Sequence, residues 1–322
     1  MKVKQLNAKW AQISASSVVK GHKSLRITSD CYSDVYLAID ERGNHCLILS
    51  LPSNHEFKFK AVRKEKVSLE YFADRSYLVM TLLDSEFNSL FDDLILSLFN
   101  AIKEIEDVTT YSKVFIQTFY QWVLFFSPEY FDKLSKDIIK GLYGELIVLK
   151  ELILDSDSYD INDILAGWVG PYDQGHDFIY DDTNIEVKTK DRKKVSVRLS
   201  SEHQLEVEAG KGLILAVVSV DEDFINGRSL KMLLQELKQL TLERLGDLSI
   251  ILKALLQKGL TLHNAGEYDN YRFRAITIHD YNCLEEGFPK ITSVTIPSSI
   301  SNVKYDLNLT DMSKYVVLVR EL

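Results

Sequence analysis

In the run Asn184 to Lys190 a side-chain period of two puts Glu186, Lys188 and Lys190 on one face of a strand and Ile185, Val187 and Thr189 on the other. An acid and a base thus share a face that is backed by an oily one. Nine residues before Glu186, Asp177 sits among apolar neighbours in His176-Asp177-Phe178-Ile179. A hairpin turning at Asp181-Asp182 would bring the two acids together. Upstream, the spacing Ile138, Leu142, Glu145, Leu149, Ile153 predicts a helix with Glu145 inside its apolar stripe, where a carboxylate is out of place. Two carboxylates about 5 Å apart repel by ~3 kcal/mol at an effective dielectric of about 20, so such a cluster must take up a proton or a cation. Oxygen donors without His or Cys select Mg²⁺ or Mn²⁺. In phosphodiester hydrolysis a divalent ion neutralises charge on the phosphate and helps to generate hydroxide, while a neighbouring lysine orients water or stabilises the transition state.

Three segments in order, Gly141-Leu142-Tyr143-Gly144-Glu145-Leu146, Gly175-His176-Asp177-Phe178 and Ile185-Glu186-Val187-Lys188, resemble the motifs of the PD-(D/E)XK nuclease superfamily. More closely the chain resembles a bacterial family of this type found beside methyltransferases, MutL-like ATPases and helicase-like ATPases in anti-phage defence clusters. The motif core covers about residues 135–220, and the likeness extends over most of the chain. The resemblance implies a restriction endonuclease-like core, with metal held by Asp177, Glu186 and the Val187 carbonyl. It further implies that Glu145 completes or supports the site and that Lys188 is the catalytic lysine. His176 stands where the named motif has Pro, a position that supplies no ligand. Gln204 resembles a polar residue that many such nucleases carry in the helix after the catalytic strands; Ser201-x-x-Gln204 reads equally well as a helix capping box.

The window 185–198 carries Lys188, Lys190, Arg192, Lys193, Lys194 and Arg198 against Glu186 and Asp191, a net +4 in a chain whose formal charge is −9. An acidic chain is not coated with phosphate-binding charge, yet a basic loop beside the acids could hold nucleic-acid phosphates through Lys190, Arg192, Lys193, Lys194 and Arg198. The plainer alternatives are a solvated charged hairpin here, a surface salt bridge for Glu186 and Lys188, a turn-side acid for Asp177 and a solvent-reaching helix acid for Glu145. His176 either touches substrate or fills a structural position. Trp168 and Tyr172, in the loop before the first acidic strand, either stack on a base or pack locally. No GxxxxGK[ST], strand-linked GxGxxG, HExxH or GxSxG motif occurs.

The elements that must position these residues follow from length and pattern. With 322 residues, 46% apolar and 26% charged, the chain can bury about three quarters of its surface and has room for roughly two domains. Short β-rich runs at Val35–Ile39, His45–Leu51, Lys66–Phe72 and Ser76–Leu82 predict an N-terminal β-rich domain over 1–84. Helical spacing then predicts connecting helices over 85–130, one of them around Tyr111–Phe126 and another opening at Pro128. The nuclease core is expected over 131–225 as a mixed sheet flanked by helices. It comprises a helix at Ser135–Leu154, a polar loop at Asp155–Gln174, strands at Gly175–Tyr180, Thr183–Lys190 and Val195–Leu199, a short helix opened by Ser200 or Ser201, and a doubly covered strand at Gly212–Val220. Residues 226–322 read as an α+β extension, with helices over Ser229–Lys258 weakened at Gly246 and strands at Tyr271–Ile278, Ile291–Ile296 and Tyr315–Val319.

Three cysteines without CxxC spacing indicate neither a zinc ribbon nor a disulfide framework. The N-terminal segment lacks a signal-peptide core and no long apolar run occurs, so a cytoplasmic protein with no membrane role is expected. Together these readings predict an Mg²⁺- or Mn²⁺-dependent DNA endonuclease, or nuclease subunit, of a restriction or anti-phage system. Its partners would be DNA and ATPase, helicase-like, MutL-like or methyltransferase proteins. The alternative is a non-catalytic DNA-binding or assembly subunit that keeps the fold, and RNA cleavage ranks third because no RNA-reading aromatic motif occurs. Cutting both strands would usually need two sites, hence a homodimer or a partner.

Overall fold

The structure is a computed structural model that describes residues 1, 3–14, 21–126, 132–156 and 160–322. The chain divides into two compact units, Met1–Glu129 and Tyr130–Leu322. In the first, α1 (Val3–Ser14) is followed by β1 (Lys23–Arg26), β2 (Asp34–Ile39), β3 (His45–Ser50), β4 (Val62–Arg63), β5 (Val67–Phe72) and β6 (Tyr77–Leu82), and then by α2 (Asn88–Ile102) and α3 (Val108–Trp122). The strands form one antiparallel sheet in the order β1-β2-β3-β6-β5-β4. The two helices expected as connectors belong to this unit. α2 buries Phe91, Leu94, Ile95 and Leu98, the three-to-four spacing that makes it amphipathic. α3 is started by Asp107, whose side chain accepts the Thr110 backbone N–H. The helix expected at Pro128 lies outside the described residues.

The second unit opens with α4 (Lys136–Asp155), capped by Ser135 through the Ile138 N–H and carrying Asp137 in its first turn, where the helix dipole favours an acid. Next come α5 (Ile161–Gly167), β7 (Phe178–Ile179), β8 (Thr183–Asp191), β9 (Ser196–Leu199), β10 (Gly212–Glu222), β11 (Arg228–Ser229), α6 (Leu230–Glu243), α7 (Leu248–Gln257), β12 (Arg272–Asn282), β13 (Tyr305–Asn308) and β14 (Val316–Glu321). β8 and β10 run parallel; β7 pairs antiparallel with β8, and β12 pairs antiparallel with β10, β11 and β14. The result is a mixed sheet in the order β11-β12-β10-β8-β7, with β14 on β12. The long strand β12, from residues expected as an extension, is thus hydrogen-bonded alongside β10 over most of its length.

Helix α4 seats on the face of β8 that carries Thr189, because Gly144 leaves no side chain between helix and strand: a Cβ there would stand 1.8 Å from Thr189 Oγ1. The Tyr143 hydroxyl donates to the Phe273 carbonyl of β12 at 2.9 Å, tying the same helix to the sheet. The opposite face is covered by a ribbon rather than a helix. β9 and β13 pair antiparallel, and Val197, Leu199 and Leu307 from this ribbon pack with Leu213, Leu215 and Val217 of β10.

Several elements differ from the sequence expectation for local reasons. The polar loop expected at Asp155–Gln174 contains α5, which buries Ile161 and Leu165. No helix follows Ser200; residues 202–205 form a turn. Residues 291–296 lie outside any strand, and the ribbon partner of β9 is β13 instead. The weak point at Gly246 is a true break: Leu245 takes φ 60° and the Gly246 N–H returns to the Thr241 carbonyl, ending α6 before Asp247 caps α7. Cys31, Cys46 and Cys283 are buried free thiols. Among the described residues, no helix is long and apolar enough to cross a membrane.

Candidate active site

The alternation in β8 holds, and β10 and β12 extend it across the sheet. Glu186 lies opposite Leu215, Lys188 opposite Val217 and Lys190 opposite Ser219, while Tyr281 and His279 of β12 lie opposite Leu215 and Val217. Paired residues share a face, so Glu186, Lys188 and Lys190 point to the side covered by the β9–β13 ribbon. Glu186 is consequently only 1% exposed, which sets aside a solvated strand face. Its Oε1 accepts from Lys188 Nζ at 2.6 Å, and its Oε2 lies 3.9 Å from His176 Nδ1.

Asp177 precedes β7 and reaches back across the hairpin, where its Oδ2 accepts the Val187 backbone N–H at 2.7 Å. This sets the Asp177 carboxylate beside Val187, the residue after Glu186, rather than at the solvated turn. Its own carbonyl accepts from the N–H groups of Val169 and Gly170, both at 2.9 Å, and that loop brings Gly170 over the acids. A Cβ on Gly170 would stand 2.6 Å from Glu145 Oε2 and 2.8 Å from Asp177 Oδ1, so both carboxylates face one small cradle that only a glycine leaves open. Glu145 comes from α4 and is held by the indole N–H of Trp168, which donates to Oε2 at 2.9 Å.

The electrostatics match this crowding. Burial pushes Glu145 up to about 7, with the charge of Glu186 adding to it and the Trp168 N–H, Lys258 and Lys188 opposing it. Asp177 is raised well above the ordinary carboxylate range by burial and by the charges of Glu186 and Glu145, against Lys188 and the Val187 N–H. Both acids keep partly accessible surface. Three carboxylates and one ammonium therefore lie within electrostatic reach of one another at the β7–β8 end of the sheet, where Glu145 and Asp177 resist losing their protons.

The chemistry of this donor set fits a hard divalent ion. Only oxygen donors are offered by Asp177, Glu186 and Glu145, and Asp177 Oδ1 stands beside the open cradle at Gly170. Nevertheless, the described residues contain no group of three His, Cys, Asp or Glu side chains already converged as a cage. Oε1 of Glu186 is engaged by Lys188, and Glu145 Oε2 by Trp168.

The remaining sequence candidates separate. Lys190 places its Nζ 3.5 Å from the Arg192 carbonyl, Arg192 lies 3.9 Å from Asp221, and Lys194 lies 3.6 Å from Asp191. Lys193 is exposed. Arg198 is drawn to Asp306 of β13 at 3.2 Å, and Gln204 Oε1 accepts the Ser200 N–H at 2.6 Å instead of capping a helix. Trp168 is 1% exposed and bonded to Glu145, so it positions an acid and offers no face to a base; Tyr172 remains 42% exposed.

Two residues gain a meaning that spacing alone does not carry. His176 is 4% exposed, with a buried Nδ1 that has no hydrogen-bond partner and faces Glu186. Its adjacency to Asp177 in sequence is a signal only once the hairpin is known to fold Glu186 against it. Gly170 is legible in sequence solely as part of a turn.

A family model described as "Putative PD-(D/E)XK family member, (DUF4420)" matches residues 6–310. No curated protein and no solved structure shows a significant match.

Proposed function

The chain belongs to this PD-(D/E)XK family, and from that premise we propose that it is a metal-dependent DNA endonuclease with a restriction endonuclease-like core, or the nuclease subunit of a restriction or anti-phage complex. The observation that supports this reading is the shared cradle of Asp177 and Glu145 at Gly170, with the Glu186–Lys188 pair within electrostatic reach and both cradle acids raised above their ordinary pKa range. Family membership implies divalent metal in general; Mg²⁺ or Mn²⁺ is the choice that oxygen donors favour. Asp177, Glu186 and the Val187 carbonyl would hold it, with Glu145 in support. When bound, the ion supplies charge neutralisation at the scissile phosphate and acidifies water.

The protein's own groups do the rest. Lys188, 2.6 Å from Glu186, is placed to turn toward the phosphate, where it orients the attacking water or meets charge developing on the oxygens. The Val187 N–H fixes Asp177, and Trp168 fixes Glu145, so neither acid needs to reorganise. With Oε2 held by the indole and burial raising its pKa to about 7, Glu145 takes up a proton more readily than an ordinary carboxylate and gives it up more readily as positive charge enters the site.

The test is cleavage of supercoiled and linear DNA, methylated and unmethylated, in Mg²⁺ and in Mn²⁺. Asp177→Ala and Lys188→Ala should each abolish cutting, while Lys188→Ala should still show a metal-dependent rise in Tm. Full cleavage by Lys188→Ala would remove the assignment. No cleavage together with a Tm indifferent to both metals would favour the non-catalytic assembly subunit.

A further inference from the structure

Beyond the acids, the same sheet face continues into a cavity of about 270 Å³ between the strands and the end of the β9–β13 ribbon. Its floor is Lys190 of β8, Val217 and Ser219 of β10, and His279 and Tyr281 of β12. Arg192 and Lys194 enter from the turn after β8, and Val195, Leu309 and Thr310 form the ribbon side, where the Leu309 N–H bonds the Val195 carbonyl. The lining therefore holds three basic side chains, an imidazole and three hydroxyls, and no carboxylate.

That composition is directional. Lys190 is half-buried, and burial holds its ammonium below the ordinary lysine range against the opposing charge of the neighbouring Asp191. Arg192 and Lys194 make only long ion pairs at the rim, at 3.9 and 3.6 Å, and keep most of their side-chain surface in solvent. Such cations are stabilised by an incoming anion. Between them and the apolar wall of Val195, Val217 and Leu309 lies room for more than a bare ion. His279 and Tyr281 lie nearly parallel, with ring centroids 6.4 Å apart and planes at 24°, on the floor of this space.

We propose that this cavity is a phosphate subsite of the nuclease: it grips a backbone phosphate, with its sugar against the apolar wall, a few nucleotides from the bond that is cut. Lys190 lies four residues from Glu186 on the same face of β8, about 13 Å along the strand, and it opens to solvent at the end of the ribbon that covers Glu186. Lys190, Arg192 and Lys194 carry the charge, and Ser219 and His279 supply further donors. The identity of the ligand as DNA rests on the nuclease reading; the anion site itself does not.

The experiment measures binding of a fluorescein-labelled DNA duplex to the full chain in EDTA by anisotropy, over a salt series, alongside cleavage in Mg²⁺. Lys190→Ala and His279→Ala should each weaken binding about tenfold, and Lys190→Ala should reduce the salt slope by about one. Lys190→Arg should restore both, which a merely structural role would not. Thr310→Asp, an exposed rim change that leaves the floor intact, should weaken binding as well. Unchanged affinity and slope in the Lys190→Ala/Lys194→Ala double variant would overturn the subsite. If the wild type binds through these residues yet never cuts, the subsite stands and the nuclease reading falls. Cutting by a protein whose affinity ignores the cavity variants would leave the nuclease and remove the subsite.

Discussion

At the scale of single residues, the site is defined by charges kept close against their own repulsion. Glu145 has an ordinary pKa of 4.5 and is raised to about 7 in the folded protein, so the folded state binds its proton more tightly than the unfolded chain. The stability this confers is complete below about pH 4.5, falls as pH rises toward 7, and is gone above; at ~1.4 kcal/mol per unit the loss is about 3 kcal/mol. Asp177 shifts in the same direction and steepens the fall. Urea unfolding in EDTA across this window should show declining stability, and Glu145→Gln should flatten the decline. Stability that climbs instead would refute the buried-acid account. Trp168→Phe removes the N–H that opposes the shift, so its decline should extend to higher pH. Mg²⁺ or Mn²⁺ at pH 8 should recover much of the loss if the acids hold it. The hairpin that sets Asp177 against the strand of Glu186 and Lys188 was legible in the spacing, because a hairpin is a local structure. His279 and Tyr281 were not foreseeable, since they reach the same face only through a β10–β12 register set nearly a hundred residues downstream.

At the scale of elements, Glu145 is useful only because α4 lies hard against β8. Gly144 makes that approach, and a methyl group there would collide with Thr189 Oγ1 at 1.8 Å and crowd its Cβ at 3.1 Å. Gly144→Ala should therefore cost about 1–3 kcal/mol despite its better helix propensity and should lower cleavage by displacing Glu145. Thr189→Ala in the same chain should return part of both. Additive effects in that double-mutant cycle would show that helix and strand do not touch there. At the other helix junction Leu245 holds φ 60° while 60% exposed, so Leu245→Gly should raise stability by ~1 kcal/mol, read as a higher Tm. Strong amphipathic patterns such as α2, α4 and α6 were legible from sequence, as was the break at Gly246. Residues 291–296 alternate well enough for a strand but have no sheet edge to join, because β13 already pairs with β9. Conversely, α5 is too short for its periodicity to rise above the polar residues around it.

At the scale of the whole molecule, the site needs more chain than its motifs occupy. β10 is hydrogen-bonded to β8 on one side and to β12 on the other, and β12 in turn carries β14, where Arg320 meets the largely buried Asp280 at 2.6 Å. A fragment ending at residue 225 would leave β10 with an open apolar edge and strip Tyr281 and Cys283 from the core around it. It should aggregate, whereas residues 130–322, which form one compact unit, should melt cooperatively by circular dichroism. The surface charge sets the last expectation. A chain of net −9 repels a duplex everywhere except at a basic feature, and the cavity beside the acids presents three basic side chains. Neutralising about three phosphates gives a slope of roughly −3 in log K against log salt, with weak binding at physiological salt. A much steeper slope would mean that a broader basic surface engages the duplex. A slope near zero would mean that DNA is delivered by another subunit, and that this chain contributes the acids and the lysine to a site it cannot load alone.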